Sequence, residues 1–372
     1  MLKFDILFYI LAISVNDNGL KAERLNSVLL SDLYELYSFA KGHAVEGLLA
    51  EAILEGNVEL KCSQENLAEK RYMVLELAKV QQQNRAVMRR FDDVLTEVAL
   101  LLQKERVDFV IFKGIAVASF YSCPSARTMG DIDFYVPSWD YDRALDLLEK
   151  VLGVKVERCD VDKHDAFCYK GIRFEMHYQM ETFGAERHQR YFSVLVDESI
   201  RDGRIGNFTL SGGVQVPMLE PTVDLILVFK HMFNHFIGEG VGLRQVTDVI
   251  VLIKAYAKVL NIDLLRQHLK AIGYLKVFDA MVALAVKYFM LSWPEYQGFL
   301  NKTDYKMGDK LMTDVLCNGN FGRLAYKNKS GWGKRIETSC RFLRNCAKYF
   351  WLAPWEICCL LPKRVMISLR AH

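Results

Sequence analysis

From Gly130 to Val136 the chain alternates two kinds of side chain: Asp131 and Asp133 in one set, Ile132, Phe134 and Val136 in the other. A period of two belongs to a β-strand, whose successive side chains point to opposite faces. The apolar set must then meet a core while both carboxylates share the other face. Gly130 and the apolar face together argue for a buried sheet rather than a solvated edge.

The flanking sequence has a different period. Residues 1–104 read as helical. Ser31 precedes apolar positions Leu33, Leu36, Tyr37 and Ala40 at three- and four-residue spacing, as a capping residue would. One amphipathic pattern without Gly or Pro runs from Gln64 to Lys104, with Gln81, Gln82 and Gln83 expected on its solvated face. The period changes at Val107, where a β-branched and aromatic run to Phe112 ends in Lys113-Gly114. A short apolar helix (Ala116–Tyr121) follows, then the strand at 130–136, a helix over 139–150 capped by Ser138, and two strand-like stretches, 164–170 and 172–178, joined hairpin-fashion near Gly171. A β segment around 206–217 closes this core. Pro221 opens a second helical region, with strong periodicity at Val223–His235 and Leu243–Ala257. The expected division is 1–104 helical, 105–217 an α/β core, 218–330 helical, and 331–372 a basic aromatic tail packed on the body.

At 372 residues, 51% hydrophobic and 25% charged, the chain has material for two to three domains and is not a disordered polymer. A net charge of +3 excludes a global polyanion-binding surface. The tail alone is basic, with eight Lys/Arg against two Glu, and carries Trp332, Trp351 and Trp355. It makes a weak case for nucleic acid or a membrane surface, against packing onto the body. The nine cysteines include no CxxC pair and read as reduced, mostly buried thiols of a cytoplasmic protein. The apolar run at the N-terminus is interrupted by Asp5 and falls short of a membrane span of roughly 20 residues. It reads as a core helix, and no transmembrane segment is expected.

Glu175 lies between Arg173 and His177 on one strand face, with Ile172, Phe174 and Met176 on the other. If its strand neighbours that of Asp131 and Asp133, three carboxylates converge. Like charges destabilise one another unless a cation compensates them, and oxygen ligands suit Mg²⁺ (or Mn²⁺). Upstream, Gly114 lets backbone approach a phosphate at a helix start, while Lys113 and Arg127 are placed to clamp a triphosphate. Each of these has a plainer alternative: an ion pair of Glu175 with Arg173 or Arg127, and ordinary structural charge for Lys113 and Arg127. His177 shares the face of Glu175 and can touch substrate or metal. His164 can reach the same face. His231 and His235 stand four apart on one helix face without the glutamate of a zinc motif, and read as a helix packed over the site. Arg244 and Asp248 have salt-bridge spacing, with a phosphate as the alternative partner for Arg244.

The stretches Phe109–Pro137, Ile172–Met180 and Gly242–Val249, with the helical pattern Leu33–Leu49, together resemble the uncharacterised nucleotidyltransferase family of the polymerase β-like nucleotidyltransferase superfamily, over about residues 1–260. The resemblance implies an α+β chain: a minimal nucleotidyltransferase mixed sheet flanked by N- and C-terminal helical regions. It puts Asp131 and Asp133 in the place of the metal-binding pair and Glu175 in that of the third acid, ligand or base. Gly114 would precede the nucleotide-binding helix, with Lys113, Arg127 and Gly130 beside the nucleotide. The chain departs from the superfamily in having Gly114-Ile115 where Gly-Ser or Gly-Gly is common, and in a longer interval to Asp131.

The expected activity is metal-dependent transfer of a nucleoside monophosphate from an NTP to an acceptor, releasing pyrophosphate. The acceptor class (small molecule, sugar, protein or RNA) is open. The rivals are a catalytically inactive nucleotide-binding or regulatory module and a nucleic-acid-binding protein acting through its basic tail.

Overall fold

The structure is a computed structural model that describes residues 3–15, 27–56, 58–158, 163–322, 324 and 331–370. Its first part is helical: α1 (Lys3–Val15), α2 (Leu30–His43), α3 (Glu46–Glu55) and the 38-residue α4 (Leu67–Lys104). Strands β1 (Ser27–Leu29) and β2 (Glu59–Lys61) form a small parallel pair among them. The long helix forms because Met73, Leu77, Phe91, Val94, Leu95, Val98 and Leu102 recur at helical spacing and are all buried.

A mixed six-stranded sheet follows: β3 (Val110–Phe112), β4 (Ile132–Tyr135), β5 (His164–Tyr169), β6 (Ile172–His177), β7 (Ile205–Thr209) and β8 (Gln215–Leu219), in the order β5-β6-β4-β3-β8-β7. Helices α5 (Gly114–Ala118), α6 (Tyr141–Val151) and α7 (Glu186–Arg201) connect the strands. β4 runs antiparallel to β3 and parallel to β6, so two central strands carry the expected acidic residues side by side. Gly171, at φ +73°, makes the tight turn of the β5–β6 hairpin.

The rest is helical: α8 (Pro221–Gly238), α9 (Leu243–Tyr256), α10 (Ile262–Ala271), α11 (Leu275–Phe289), α12 (Pro294–Gln297), α13 (Lys302–Asn318), α14 (Gly331–Tyr349) and α15 (Pro354–Arg370). A single buried apolar cluster runs through all three regions. α1 packs on α3, α9 and α11, and α14 packs on α8. Asn345 secures α14 by donating to the carbonyls of Phe236 and Ile237 at the end of α8. Among the described residues no helix is long and apolar enough to cross a membrane.

Several local expectations are corrected. α2 begins at Leu30, so Ser31 lies inside the helix and does not cap it. α6 begins at Tyr141 after Asp140. Asp140 gives no cap bond because its carboxylate accepts from the backbone N–H of Asp108 at 2.7 Å. Gln81 leaves the solvated face it was assigned and is buried, donating to Glu51 and Glu55 at 2.9 Å each. Of the eight described cysteines only Cys346 is buried, while Cys168, Cys317, Cys340 and Cys358 are exposed, so the thiols are not mostly buried. Cys159 and the side chain of Trp332 lie outside the described residues. Trp351 and Trp355 stand exposed.

Candidate active site

The site begins where β3 ends. Lys113 adopts φ +55° and ψ −152°, and Gly114 follows at φ +34°. A non-glycine residue in that region is strained, and such strain gathers at functional turns. A Cβ on Gly114 would stand 3.2 Å from the Asp131 carbonyl oxygen, so glycine lets the turn approach the start of β4. The helix it opens is only five residues long, which leaves little of the expected macrodipole for a phosphate. No such closeness explains Gly130, whose added Cβ would meet nothing within 4 Å.

Strand register assembles the acids. Asp133 pairs with Glu175 across β4 and β6, and Tyr135 with His177. Asp133 is buried, and its Oδ1 accepts from Lys113 Nζ at 3.1 Å and lies 2.9 Å from His177 Nε2. Burial alone would raise its pKa, but Lys113 and His177 hold it well below the usual carboxylate range. Among the described residues Asp131 accepts no such hydrogen bond, and the charges of Lys113 and Arg244 offset its shift only in part. Burial first, then Asp133 and Glu175, push its carboxyl up to about 6. Glu175 Oε1 lies 3.3 Å from Arg173 Nε and 3.5 Å from His164 Nε2, and its Oε2 lies 3.8 Å from His177 Nε2. His177 is fully buried, which pushes its imidazole down to about 4.

Lys113, Gly114, Asp131, Asp133, His164 and Glu175 line a cleft of about 500 Å³ between the sheet, α8 and α9, with Phe321 and Leu360 also on its wall. Most cations in it are already paired. Arg127 grips Asp248 through two bonds, Nε to Oδ1 at 2.7 Å and Nη2 to Oδ2 at 2.8 Å, and Tyr121 donates to Asp248 at 2.8 Å. The expected Arg244–Asp248 helix pair is thereby replaced by a contact between residues 121 apart in sequence. Burial disfavours a second cation beside Arg127, and Arg244 instead donates to the Thr128 carbonyl at 3.2 Å. Among the described residues Arg244 makes no salt bridge within 4 Å, although the charges of Asp248 and Asp131 act on it, and its buried Nε has no hydrogen bond.

Sequence reasoning missed Glu181. This carboxylate is 2% exposed and accepts from Lys163 Nζ at 2.8 Å and Asn234 Nδ2 at 2.9 Å, with His231 Nδ1 at 2.8 Å. Burial would raise its pKa, but Lys163, His231 and Lys230 hold it well below the usual range. The His231/His235 spacing was the available signal: it placed α8 at the cleft but named no acid for it. In all, six carboxylates and four Lys/Arg side chains line the cleft. That surplus of acid, with Asp131 held up near 6, is a donor set that fits a hard divalent cation.

In sequence the chain matches a family model described as uncharacterised nucleotidyltransferase over residues 31–290, rather than from the N-terminus. No curated protein matches it. Among solved structures it is similar to an antigenic nucleotidyltransferase-like protein from Paracoccidioides brasiliensis. That likeness has 14% identity and a TM-score of 0.34, covering 53% of this chain and 92% of that one. Likeness at that level says nothing of what this chain does. The family match takes in well over half of the 372 residues, and the chain belongs to the uncharacterised nucleotidyltransferase family.

Proposed function

We propose that this cleft transfers a nucleoside monophosphate from an NTP to an acceptor hydroxyl or phosphate and releases pyrophosphate. The acceptor oxygen forms a bond to the α-phosphorus as the bond to pyrophosphate breaks. Asp131, Asp133 and Glu175 would hold Mg²⁺ or Mn²⁺, which when bound neutralises phosphate charge and polarises the reacting oxygens. Glu175 either completes that set or takes the acceptor proton. Arg244, the cleft cation that makes no salt bridge among the described residues, is the side chain best placed to meet the triphosphate, with the Lys113-Gly114 turn beside it. His177 orients Asp133 from below. Arg127 acts through Asp248, fixing α9 against the loop before β4.

The observation that carries this reading is the acid cluster: Asp133 registered beside Glu175 across β4 and β6, with Asp131 lining the same cleft just before β4. The core over 105–217 supplies the acids, and the region 218–330 supplies the opposite wall. Free thiols suit a reducing compartment, and we place the protein in the cytoplasm. A second reading is favoured by one contact. The Lys113 ammonium 3.1 Å from Asp133 can itself stand in for a cation, and a chain using it so would bind nucleotide without transferring it.

The test is a thermal-shift panel of ATP, GTP, CTP and UTP with and without Mg²⁺, on wild type and Asp131→Asn/Asp133→Asn. Saturation at 100 times Kd adds about 2.7 kcal/mol. The expected result is a Mg²⁺-dependent shift with one NTP, lost in the double variant. A shift that ignores Mg²⁺ and survives in the variant overturns the metal assignment and favours the second reading.

A further inference from the structure

Beside the acid pair lies a grouping of different chemistry. His164 and His177 stand directly opposite each other on β5 and β6, and Glu175 lies two residues before His177 on the same strand face. One ligand atom from each of the three lies within 4.8 Å of the others. The separations are 3.5 Å from His164 Nε2 to Glu175 Oε1 and 3.8 Å from His177 Nε2 to Glu175 Oε2. Both exceed the roughly 2.7–3.2 Å of an N–H···O hydrogen bond. They match the edges of a coordination polyhedron instead, since bonds of about 2.0–2.2 Å place tetrahedral neighbours about 3.4 Å apart.

We propose that His164, Glu175 and His177 form a second metal site, which takes Zn²⁺ or a like first-row transition-metal ion rather than Mg²⁺. The proposal deepens the nucleotidyltransferase reading and rests on it for the shared role of Glu175. Two imidazoles with one carboxylate make a borderline-soft set, whereas Mg²⁺ prefers oxygen alone and keeps its waters. The ligands come from two adjacent strands of one sheet, so the backbone fixes their spacing before an ion arrives. His164 Nε2 has no nearer polar partner among the described residues than Glu175, so an ion would displace no good hydrogen bond there. At His177 the ion would displace the 2.9 Å contact between Nε2 and Asp133 Oδ1. Binding at Nε2 moves the ring proton to Nδ1, which faces the Gln179 carbonyl oxygen at 3.4 Å. Asp133 then keeps Lys113.

The experiment uses the full chain, stripped with chelator and given one equivalent of Zn²⁺. X-ray absorption reads the ligands and calorimetry the affinity, with Mg²⁺ titrated separately. Wild type should show imidazole scattering. His164→Gln should lose at least the roughly tenfold in Zn²⁺ affinity that even outer-shell losses cost, while Asp131→Asn should keep the imidazole signal. His177 is buried, so a variant there tests folding as much as ligation; His164 on the edge strand avoids that. Zinc bound by sulfur from the exposed thiols, or an affinity unchanged in His164→Gln, overturns the proposal. Imidazole-bound zinc in a protein that binds no NTP would remove the transferase reading and leave this site standing. NTP binding with no imidazole signal would do the reverse.

Discussion

Asp224 is the fourth residue of α8 and has no exposed surface. Its Oδ2 accepts from Tyr256 of α9 at 2.8 Å, and its Oδ1 has no partner. Burial therefore dominates, raising the carboxyl from 3.8 to about 7, with the Tyr256 bond only partly opposing it. A shift of roughly 3 units is about 4 kcal/mol of charge destabilisation carried by the native state. The folded pKa lies above the unfolded one. The stability this group contributes is thus complete below about pH 4, declines as pH rises, and is gone above about pH 7. Asp224→Asn removes the charge at nearly constant volume and mimics the protonated acid. Between pH 5 and 7 wild type should lose about 2 kcal/mol relative to the variant, because the slope of roughly 1.4 kcal/mol per unit halves as pH reaches the folded pKa. Urea unfolding of both proteins at pH 5, 6, 7 and 8 measures this directly. Parallel profiles, with a constant gap between the two, would refute an isolated buried carboxylate.

Asp248→Ala strands the buried Arg127 guanidinium and should cost about 3–5 kcal/mol in urea unfolding, most of it recovered in Arg127→Met/Asp248→Leu. A cost below about 1 kcal/mol would class the pair with exposed ion pairs. Gly114→Ala forces a side chain onto φ +34° and against the Asp131 carbonyl, so it should lose about 1–2 kcal/mol of stability and weaken the nucleotide-induced thermal shift. A wild-type shift would show that the turn does not touch the nucleotide. A thiol reagent should modify Cys168, Cys317, Cys340 and Cys358 in native protein and Cys346 only on unfolding, as peptide mapping by mass spectrometry would show.

What was legible in the sequence was what local periodicity dictates. The alternation at 130–136 became β4, shortened to Ile132–Tyr135 so that Asp131 precedes the strand; the Gly171 hairpin became β5–β6, and the uninterrupted helical pattern became α4. The convergence of Asp131, Asp133 and Glu175 needed one assumption, that two strands separated by α6 and β5 are neighbours, and the parallel β4–β6 pairing satisfies it. Contacts set by tertiary packing were not legible. Asp248 has the helical spacing for Arg244, yet a residue on a distant loop reaches it with a two-point grip that a flexible helix-surface pair cannot match. Glu181 follows β6 in a segment without periodicity, and its partners come from Lys163 and from α8. Gln81 looked solvated within a glutamine run until α3 supplied two carboxylates for it. Residue type alone says nothing of which helix face a cysteine occupies, and Cys317, Cys340 and Cys358 stand exposed on theirs.

The most direct measurement follows the α-phosphate. Each α-labelled NTP is incubated with the protein, Mg²⁺ and a cell extract as acceptor source, and label transfer is quantified beside pyrophosphate release. Wild type should give a labelled product in equal measure with pyrophosphate, and folded Asp133→Asn should give neither. Transfer that persists in Asp133→Asn, or its absence from a wild-type protein that binds the NTP, would contradict a nucleotidyltransferase centred on these carboxylates.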